Sequence, residues 1–207
     1  MTKKKKTKSI KRRIIYRDYF PYHVSGKCLD KNWFGISKAE IWEIFVDFLN
    51  RQNLIYKTKC HAFVMMSNHY HLIIIPNENM DLKFLVERLQ NQVSLEANLS
   101  MGVVQSIFEY SFHMSEITTP TYYRRVLKYV YRNPVEAGVC NRVEDYRFSS
   151  LNSDDVKMVF PYNIDSYVNY KEKLMLAWLN EDLEEPYWET FRQLSEKRVK
   201  LPYPGPF

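Results

Sequence analysis

The chain has 207 residues, of which 45% are hydrophobic and 15% aromatic, so it can form one domain of ordinary size with an appendage and hold a core without cross-links. Its three cysteines have no CxxC spacing, which argues against a disulfide framework and a cysteine zinc site and favours a reducing, cytoplasmic location. No apolar run is long enough to cross a bilayer and no signal-peptide pattern follows the basic N-terminus, so we expect no membrane partner.

Positive charge is concentrated at the N-terminus. Residues 1–13 hold eight Lys and Arg and no acidic residue, although the formal net charge of the whole chain is +6. We predict that this tail is disordered when free and that Lys11, Arg12 and Arg13 contact a phosphate backbone, with a merely solubilising tail as the alternative. Residues 152–207 hold 7 Lys and Arg against 10 Asp and Glu, so this region is a poor candidate for the main nucleic-acid surface.

The first half of the chain is predicted to form a strand, a helix and two further strands. The first strand is expected around Tyr22–Ser25. Ser37 opens a capping box, and apolar residues recur at helical spacing after it, which predicts a helix over residues 38–52. Strands are then predicted over residues 55–66 and His69–Ile75, joined by a polar two-residue connection that suits a tight hairpin.

A second helix and a fourth strand complete the pattern. Residues 82–99 have one apolar face and end before Gly102, and residues 105–116 are rich in the Ile, Phe and Tyr that strands favour. The order strand, helix, strand, strand, helix, strand is typical of the ferredoxin-like or RRM-like α+β fold, an antiparallel sheet with both helices on one face. We therefore expect the other face of the sheet to be free for function.

A further helix is predicted beyond this minimal fold. Thr119-Pro120 is typical of a helix start, with Pro at the first helical position. The helical pattern continues over Tyr122–Asn133. Pro134 is expected to stop the helix, because the residue before a proline disfavours helical backbone.

The domain organisation follows from these elements. Residues 135–151 form a turn-rich closing segment, which predicts a catalytic domain over residues 14–151. Residues 152–207 are then an accessory C-terminal region with helices near residues 166–179 and 184–199.

Two histidines occupy alternate positions of the third predicted strand. Successive side chains of a strand point to opposite faces, so His69 and His71 share one face while Tyr70 and Leu72 share the other. Two imidazoles on a rigid strand can form half of a divalent-metal site. Taken alone, the pair fits a polar, solvated sheet face equally well.

The extra helix can supply the rest of a site. Tyr129 and Asn133 are four residues apart and project from one helix face, whereas Tyr131 points away. In this arrangement Tyr129 is the candidate nucleophile, and the amide oxygen of Asn133 is a third metal ligand beside the two histidines. Because the ordinary pKa of tyrosine is about 10, a metal that polarises the scissile phosphate lowers the demand on the phenol. Tyr122 is the next candidate, and Tyr123 and Tyr131 are interpreted as packing residues.

Three motifs, taken in order, resemble a known family. They are Met65-Met66-Ser67-Asn68-His69-Tyr70-His71-Leu72-Ile73, Tyr129-Val130-Tyr131-Arg132-Asn133-Pro134-Val135-Glu136-Ala137-Gly138 and Tyr146-Arg147-Phe148-Ser149-Ser150. Together they are similar to the single-tyrosine HUH transposases, over residues 14–151. The insertion-sequence branch of that family usually has Gln where this chain has Asn133, so the resemblance is greatest to the REP-associated tyrosine transposases.

The resemblance implies a chemistry. In that family the two histidines and the polar residue one turn after the tyrosine, here His69, His71 and Asn133, hold Mg²⁺ or Mn²⁺. The tyrosine, here Tyr129, attacks a phosphodiester of single-stranded DNA beside a palindromic hairpin. The resemblance thus implies a covalent 5′-phosphotyrosine and a free 3′-hydroxyl that can rejoin strands without ATP. It also implies a bacterial, nucleoid-associated protein that is either a monomer or a homodimer exchanging the tyrosine helix.

The sequence predicts the DNA-binding surface less specifically than the catalytic residues, and it leaves alternative functions open. The open sheet face, with Arg124, Arg125 and Lys128 at its rim, is expected to hold the unpaired strand, although the two arginines fit a solvated helix face equally well. His23 is interpreted as a core or rim histidine, with an approach to the site as the alternative. A catalytically silent single-stranded nucleic-acid-binding protein of the same fold is the main alternative function. A metal phosphodiesterase that activates water is another.

Overall fold

The computed structural model describes residues 20–29, 33–77, 80–152, 172–182 and 198–200. The basic tail with Lys11, Arg12 and Arg13 lies outside these ranges. The strands are β1 (Tyr22–Cys28), β2 (Lys59–Met65), β3 (His69–Ile75), β4 (Phe108–Glu116) and β5 (Arg198–Lys200), and the helices are α1 (Lys38–Tyr56), α2 (Leu82–Met101), α3 (Pro120–Glu136) and α4 (Glu172–Asn180).

The five strands form one antiparallel sheet in the order β2-β3-β1-β4-β5. Its first four strands have the ferredoxin-like order, so the predicted fold class is confirmed. β2 and β3 are joined by the predicted hairpin, in which the Met66 N–H donates to the His69 carbonyl over 2.8 Å. None of the described helices is both long and apolar enough to cross a membrane.

One face of the sheet is covered by α1 and α2. The predicted capping box opens α1, with Ser37 Oγ accepting from the Glu40 N–H, and α2 ends at Gly102, whose φ of 67° suits glycine. The main hydrophobic core lies between these helices and the sheet, and its fully buried aromatic rings include Phe45, Phe63 and Tyr70. Burying a ring of this size stabilises the fold by roughly 2–3 kcal/mol.

The other face is covered in part by α3, so the expectation of a wholly free face is wrong. Ala62, Val64 and Ile73 point to this face and form a second core with Val126 and Val130 of α3. β2 and β3 therefore bury apolar side chains on both faces next to α3, as strands covered on two sides do. This second core fixes α3 against the half of the sheet that contains β3.

Two helices extend into residues that were predicted to lie outside them. Residues 55 and 56 belong to α1 rather than to a strand, because the helix ends only at Lys57, whose φ is 57°. α3 continues through Pro134 to Glu136, since a proline in the last turn removes a single N–H and the Ala137 N–H still donates to the Asn133 carbonyl.

The C-terminal region differs from its prediction in part. A helix was predicted near residues 166–179, and α4 confirms it from Glu172 onward, where the described residues of this range begin. Arg198–Lys200 form β5 and pair with Ser111–His113 of β4. A helix was predicted over residues 184–199, and this prediction is wrong for its last two residues, which belong to the strand. Residues 184–197 lie outside the described part of the chain.

Candidate metal and tyrosine site

The sheet face toward α3 carries the site. The predicted alternation along β3 is confirmed, because Tyr70, Leu72 and Ile74 lie in the main core while Ile73 lies in the second core. His69 and His71 share the face of Ile73 and have ring centroids 5.2 Å apart. His71 is buried and His69 is half-buried, so the site lies at the border between the protein interior and its surface.

Asn133 reaches His69 from α3. Its Oδ1 lies 3.5 Å from Nε2 of His69, while its Nδ2 donates to the Tyr129 carbonyl over 3.4 Å. The second contact orients the amide, because the NH₂ group faces a carbonyl and the oxygen therefore faces His69. The helix thus presents the amide oxygen to the histidine pair, as the four-residue spacing predicted.

Tyr129 packs against two histidine rings. Its ring centroid is 5.3 Å from that of His71 and 5.8 Å from that of His23, with the ring planes nearly perpendicular in both pairs. The structure therefore brings together all four residues predicted for the site, and all four belong to one chain. Tyr122, the second tyrosine candidate, packs at the edge of the second core.

Burial keeps the imidazoles neutral. It lowers the pKa of His69 to about 4, with the Asn133 contact opposing the shift and the Lys27 charge adding to it. Burial also lowers the pKa of His71 well below its ordinary value, with His69, His23 and Lys27 contributing to the shift. Since metals bind the neutral imidazole, both rings are in the ligand form at neutral pH.

The hydrogen bonds around His69 test whether a metal ion fits. Nδ1 of His69 lies 2.8 Å from Oδ1 of Asn68, an acceptor, so the single proton of the neutral ring belongs on Nδ1. Nε2 then has a lone pair that faces a second acceptor, Oδ1 of Asn133. Two acceptors that converge without a proton between them suit a bound cation. Within the described ranges no three His, Cys, Asp or Glu side chains are grouped around a metal position, so a metal ion bound here would need the amide oxygen of Asn133 beside the two histidines.

Several residues of the site were missed or underrated by sequence reasoning. Nε2 of His23 lies 3.0 Å from Nδ1 of His71, so this buried, hydrogen-bonded histidine also approaches the site, which was the alternative to its interpretation as a core or rim histidine. Lys27 lies opposite His69 in the antiparallel register of β1 and β3. The usable signal was the alternation of His23, Ser25 and Lys27 along β1, which places three polar side chains on the histidine face.

The third motif of the sequence holds α3 onto the edge of the sheet. Tyr131 and Ser150 hydroxyls lie 3.2 Å apart, and Ser150 Oγ accepts from the Phe63 N–H. Tyr146 donates to the Met65 carbonyl over 2.7 Å. Tyr131 is therefore a structural residue, as predicted, and so is Tyr123, which packs on His61 with 6.0 Å between ring centroids.

α4 holds α3 from another side, through a contact we call the α4 clamp. Arg132 donates to the carbonyls of Asn180 and Glu181 over 2.8 and 2.9 Å and to the carboxylate of Asp182. Lys128 lies over the ring of Trp178, 5.4 Å from its centroid, and 3.7 Å from a carboxylate oxygen of Glu181. The clamp consists of these residues, and its two cations directly precede Tyr129 and Asn133 in the chain.

The clamp bears on the predicted DNA contacts. Lys128 is buried, and the α4 clamp occupies its ammonium group, so this placement does not favour a DNA contact. Arg124 is exposed and Arg125 is half-buried on the same helix. Both side chains are accessible to solvent, so their contact with DNA stays a prediction.

Comparisons with known proteins give a likeness of structure rather than of sequence. No protein-family model matches the chain, and no curated protein matches it. A REP-associated tyrosine transposase bound to a REP hairpin is similar with a TM-score of 0.55 and 16% identity, covering 82% of this chain and 91% of that one. A candidate transposase from Deinococcus radiodurans gives a TM-score of 0.41 and 11% identity, covering 63% and 95%. The first likeness shows that this chain has the fold of a REP-associated tyrosine transposase.

Proposed function

We propose that this protein is a metal-dependent transposase that cleaves and rejoins single-stranded DNA at hairpin-bearing sequences through a 5′-phosphotyrosine. The observation that carries the proposal is the convergence of two acceptors, Nε2 of His69 and Oδ1 of Asn133, beside the ring of Tyr129. The two elements that meet here are some sixty residues apart in the chain, and neither the second core nor the sheet requires these polar side chains. The shared fold with a hairpin-bound transposase supports the same function.

In the proposed reaction the phenolic oxygen of Tyr129 attacks phosphorus. A bond forms between Oη and phosphorus while the bond to the 3′-oxygen breaks, and the phenolic proton is balanced by the 3′-hydroxyl that leaves. The energy of the phosphodiester is kept in the tyrosyl ester, so attack by a 3′-hydroxyl rejoins the strand without ATP. The buried rings of His71 and His23 position the phenol by packing on its ring.

Mg²⁺ or Mn²⁺ would be held by His69, His71 and Asn133. A bound ion would neutralise charge that develops on the phosphoryl oxygens. These three ligands are all neutral, so the site keeps the positive charge of the ion and favours an anionic phosphodiester. Lys27, opposite His69, adds a further positive charge on the same face.

The proposed partner is single-stranded DNA that forms a hairpin. Arg124 and Arg125 on α3, and Lys27 on β1, are the proposed backbone contacts among the described residues. The proposed site residues come together within one chain, which supports cleavage by a monomer. A homodimer stays a prediction.

Covalent trapping tests the proposal. The full chain is incubated with Mn²⁺ and labelled single-stranded hairpin DNA, and a denaturing gel is used to look for a protein–DNA adduct. We expect an adduct with the native protein and none with Tyr129→Phe, while Tyr131→Phe, the matched control two residues along the helix, retains it. Failure of the native protein to form an adduct, or an undiminished adduct with Tyr129→Phe, would contradict the proposed nucleophile.

The same experiment separates the alternative functions. A catalytically silent single-stranded nucleic-acid-binding protein would bind the hairpin and leave it intact. A phosphodiesterase that activates water would cut the strand in both native and Tyr129→Phe protein without a covalent adduct.

A further inference from the structure

His23 and His71 share a hydrogen bond inside the sheet. Nε2 of His23 lies 3.0 Å from Nδ1 of His71, and the two rings are nearly parallel with centroids 5.2 Å apart. Both side chains are more than nine-tenths buried. A contact of this length between two ring nitrogens requires one proton between them, so one ring donates and the other accepts.

Only one of the two arrangements leaves His71 able to bind a metal ion. If His71 donates from Nδ1, its Nε2 has a free lone pair. If His23 donates from Nε2, the proton of the neutral His71 ring must lie on its own Nε2, which then cannot be a ligand. The identity of the donor therefore decides whether the second histidine of β3 is a ligand.

We propose that His23 is a positioning residue that accepts from Nδ1 of His71 and thereby holds His71 in the tautomer whose Nε2 binds the metal ion. This inference rests on the proposed function, because it concerns the same metal site. Hydrogen bonds from outside the ligand set commonly fix the tautomer and orientation of metal-binding histidines. Asn68 has the matching position at Nδ1 of His69.

The surroundings of His23 explain how it can hold this role. In the sheet it lies on β1 opposite Ile73 of β3 and Ser115 of β4, so its backbone is fixed from both sides. Its ring contacts Tyr129 and His113 edge to face at 5.8 and 5.7 Å. The ring is thus confined by β3, β4 and α3 together, and it touches both a proposed ligand and the proposed nucleophile.

The test measures the tautomer and metal binding without any DNA. Nitrogen-15 NMR of the histidine rings in the full chain reports which nitrogen of His71 carries the proton, and electron paramagnetic resonance of free Mn²⁺ gives the dissociation constant. The variants are His23→Leu, which removes the acceptor, His23→Gln, which restores one, and His61→Gln, a control at a buried histidine of β2 that packs on Tyr123.

We expect His71 to be protonated on Nδ1 in the native protein and in His23→Gln. His23→Leu should lose that preference and bind Mn²⁺ about 10–100-fold more weakly, whereas His23→Gln and His61→Gln stay within about threefold of native. Thermal unfolding of each variant checks that the fold is retained, and the Gln variant keeps the test decisive if His23→Leu unfolds.

The outcomes separate this inference from the proposed function. If His71→Ala loses Mn²⁺ while His23→Leu binds like the native protein, His23 has no positioning role and the metal site stands. If neither native protein nor His71→Ala binds Mn²⁺, the proposed metal site fails, and NMR still decides on His23. A native His71 ring protonated on Nε2 overturns the inference in every case.

Discussion

The two faces of the sheet differ in what they bury. Toward α1 and α2 the sheet buries aromatic and aliphatic side chains, and a polar pair there, Gln90 and the Tyr70 hydroxyl, is hydrogen-bonded at 3.2 Å. Toward α3 it buries His23, His61 and His71. Buried polar groups cost stability unless they are fully hydrogen-bonded. The face toward α1 and α2 therefore holds the main hydrophobic core, whereas the face toward α3 combines a second core with buried polar groups that cost stability.

The largest expected effect is a loss of chemistry on the α3 face. We expect His71→Ala to lower the rate of DNA cleavage by at least about 10²–10³-fold, because it removes a proposed metal ligand. Hairpin binding should change little, whereas the unfolding temperature should fall, because His23 loses its buried hydrogen-bond partner and the truncation leaves a cavity. Cleavage is followed on gels and binding by fluorescence anisotropy. A fall in binding as steep as the fall in cleavage would mean that the metal organises the DNA surface instead.

The opposite result is expected on the face toward α1. Phe45 is fully buried between α1 and the sheet, 5.1 Å from the ring of Tyr70. Phe45→Ala should lower the free energy of unfolding by about 3–5 kcal/mol, because it leaves a cavity in the main core. Urea denaturation measures this loss, and cleavage per folded molecule should be unchanged. A loss of cleavage without a loss of stability would contradict the division between the two faces.

The pH dependence of stability at His61 tests how much a buried polar group on the α3 face costs in free energy of unfolding. Among the described residues neither of the buried ring nitrogens of His61 has a hydrogen-bond partner, and burial lowers its pKa to about 3, with the Lys59 charge adding to the shift. The unfolded chain binds a proton at this residue below its ordinary pKa of 6.5 while the folded chain does not, so native stability falls as pH drops from 6.5 toward 3.

We expect His61→Leu to remove this contribution. The difference in free energy of unfolding between the variant and the native protein should be about 2 kcal/mol more in favour of the variant at pH 5 than at pH 7.5. Urea denaturation at the two pH values measures the gain. An equal stability difference at both values would show that His61 does not titrate on unfolding in this range.

A smaller effect is expected from the α4 clamp. Arg132→Met should release α4 from α3 and lower the cleavage rate about tenfold, because a shift of about 1 Å in the helix that carries the proposed nucleophile is enough for such losses. Hairpin affinity should stay unchanged, and hydrogen exchange of the α4 amides should become faster. Arg142→Met, at an exposed ion pair with Glu144, is the matched control. If the α4 amides of Arg132→Met exchange at the native rate, loss of the α4 clamp cannot be the cause of a slower cleavage.

The smallest expected effect concerns Lys27. If its ammonium contacts a DNA phosphate, Lys27→Met should lower the slope of log affinity against log salt concentration by about 0.7, the value for one phosphate of a single strand. Lys59→Met, at the exposed start of β2, serves as the control and should leave the slope unchanged. Equal slopes for native and Lys27→Met protein would remove Lys27 from the DNA surface.

The parts of the fold that depend on local pattern could be predicted from the sequence. Alternation along β3 correctly assigned His71 and Tyr70 to opposite faces, and the capping box correctly placed the start of α1. The spacing of Tyr129 and Asn133 correctly placed them on one side of α3. In each case residues within four positions of one another decide the result, through backbone periodicity or a local hydrogen bond.

The remaining features depend on contacts distant in sequence. Nothing near Pro134 signals that the second core extends α3 past it, and nothing near His23 indicates that β1 lies beside β3. The strand at Arg198 exists because β4 offers an unpaired edge. Pairing partners of this kind follow from tertiary packing, which short-range patterns do not encode.

The α4 clamp also bears on how this protein can be shortened. A fragment that ends at residue 151, the predicted end of the catalytic domain, retains every proposed ligand and the nucleophile. It loses the carbonyls and the carboxylate that surround the guanidinium of Arg132, leaving Glu136 as its acidic partner, and it uncovers the apolar contact of Leu179 with the second core. Such a fragment would expose apolar surface of the second core next to α3, which would favour aggregation. The minimal piece suited to biochemical work therefore extends at least through Asp182.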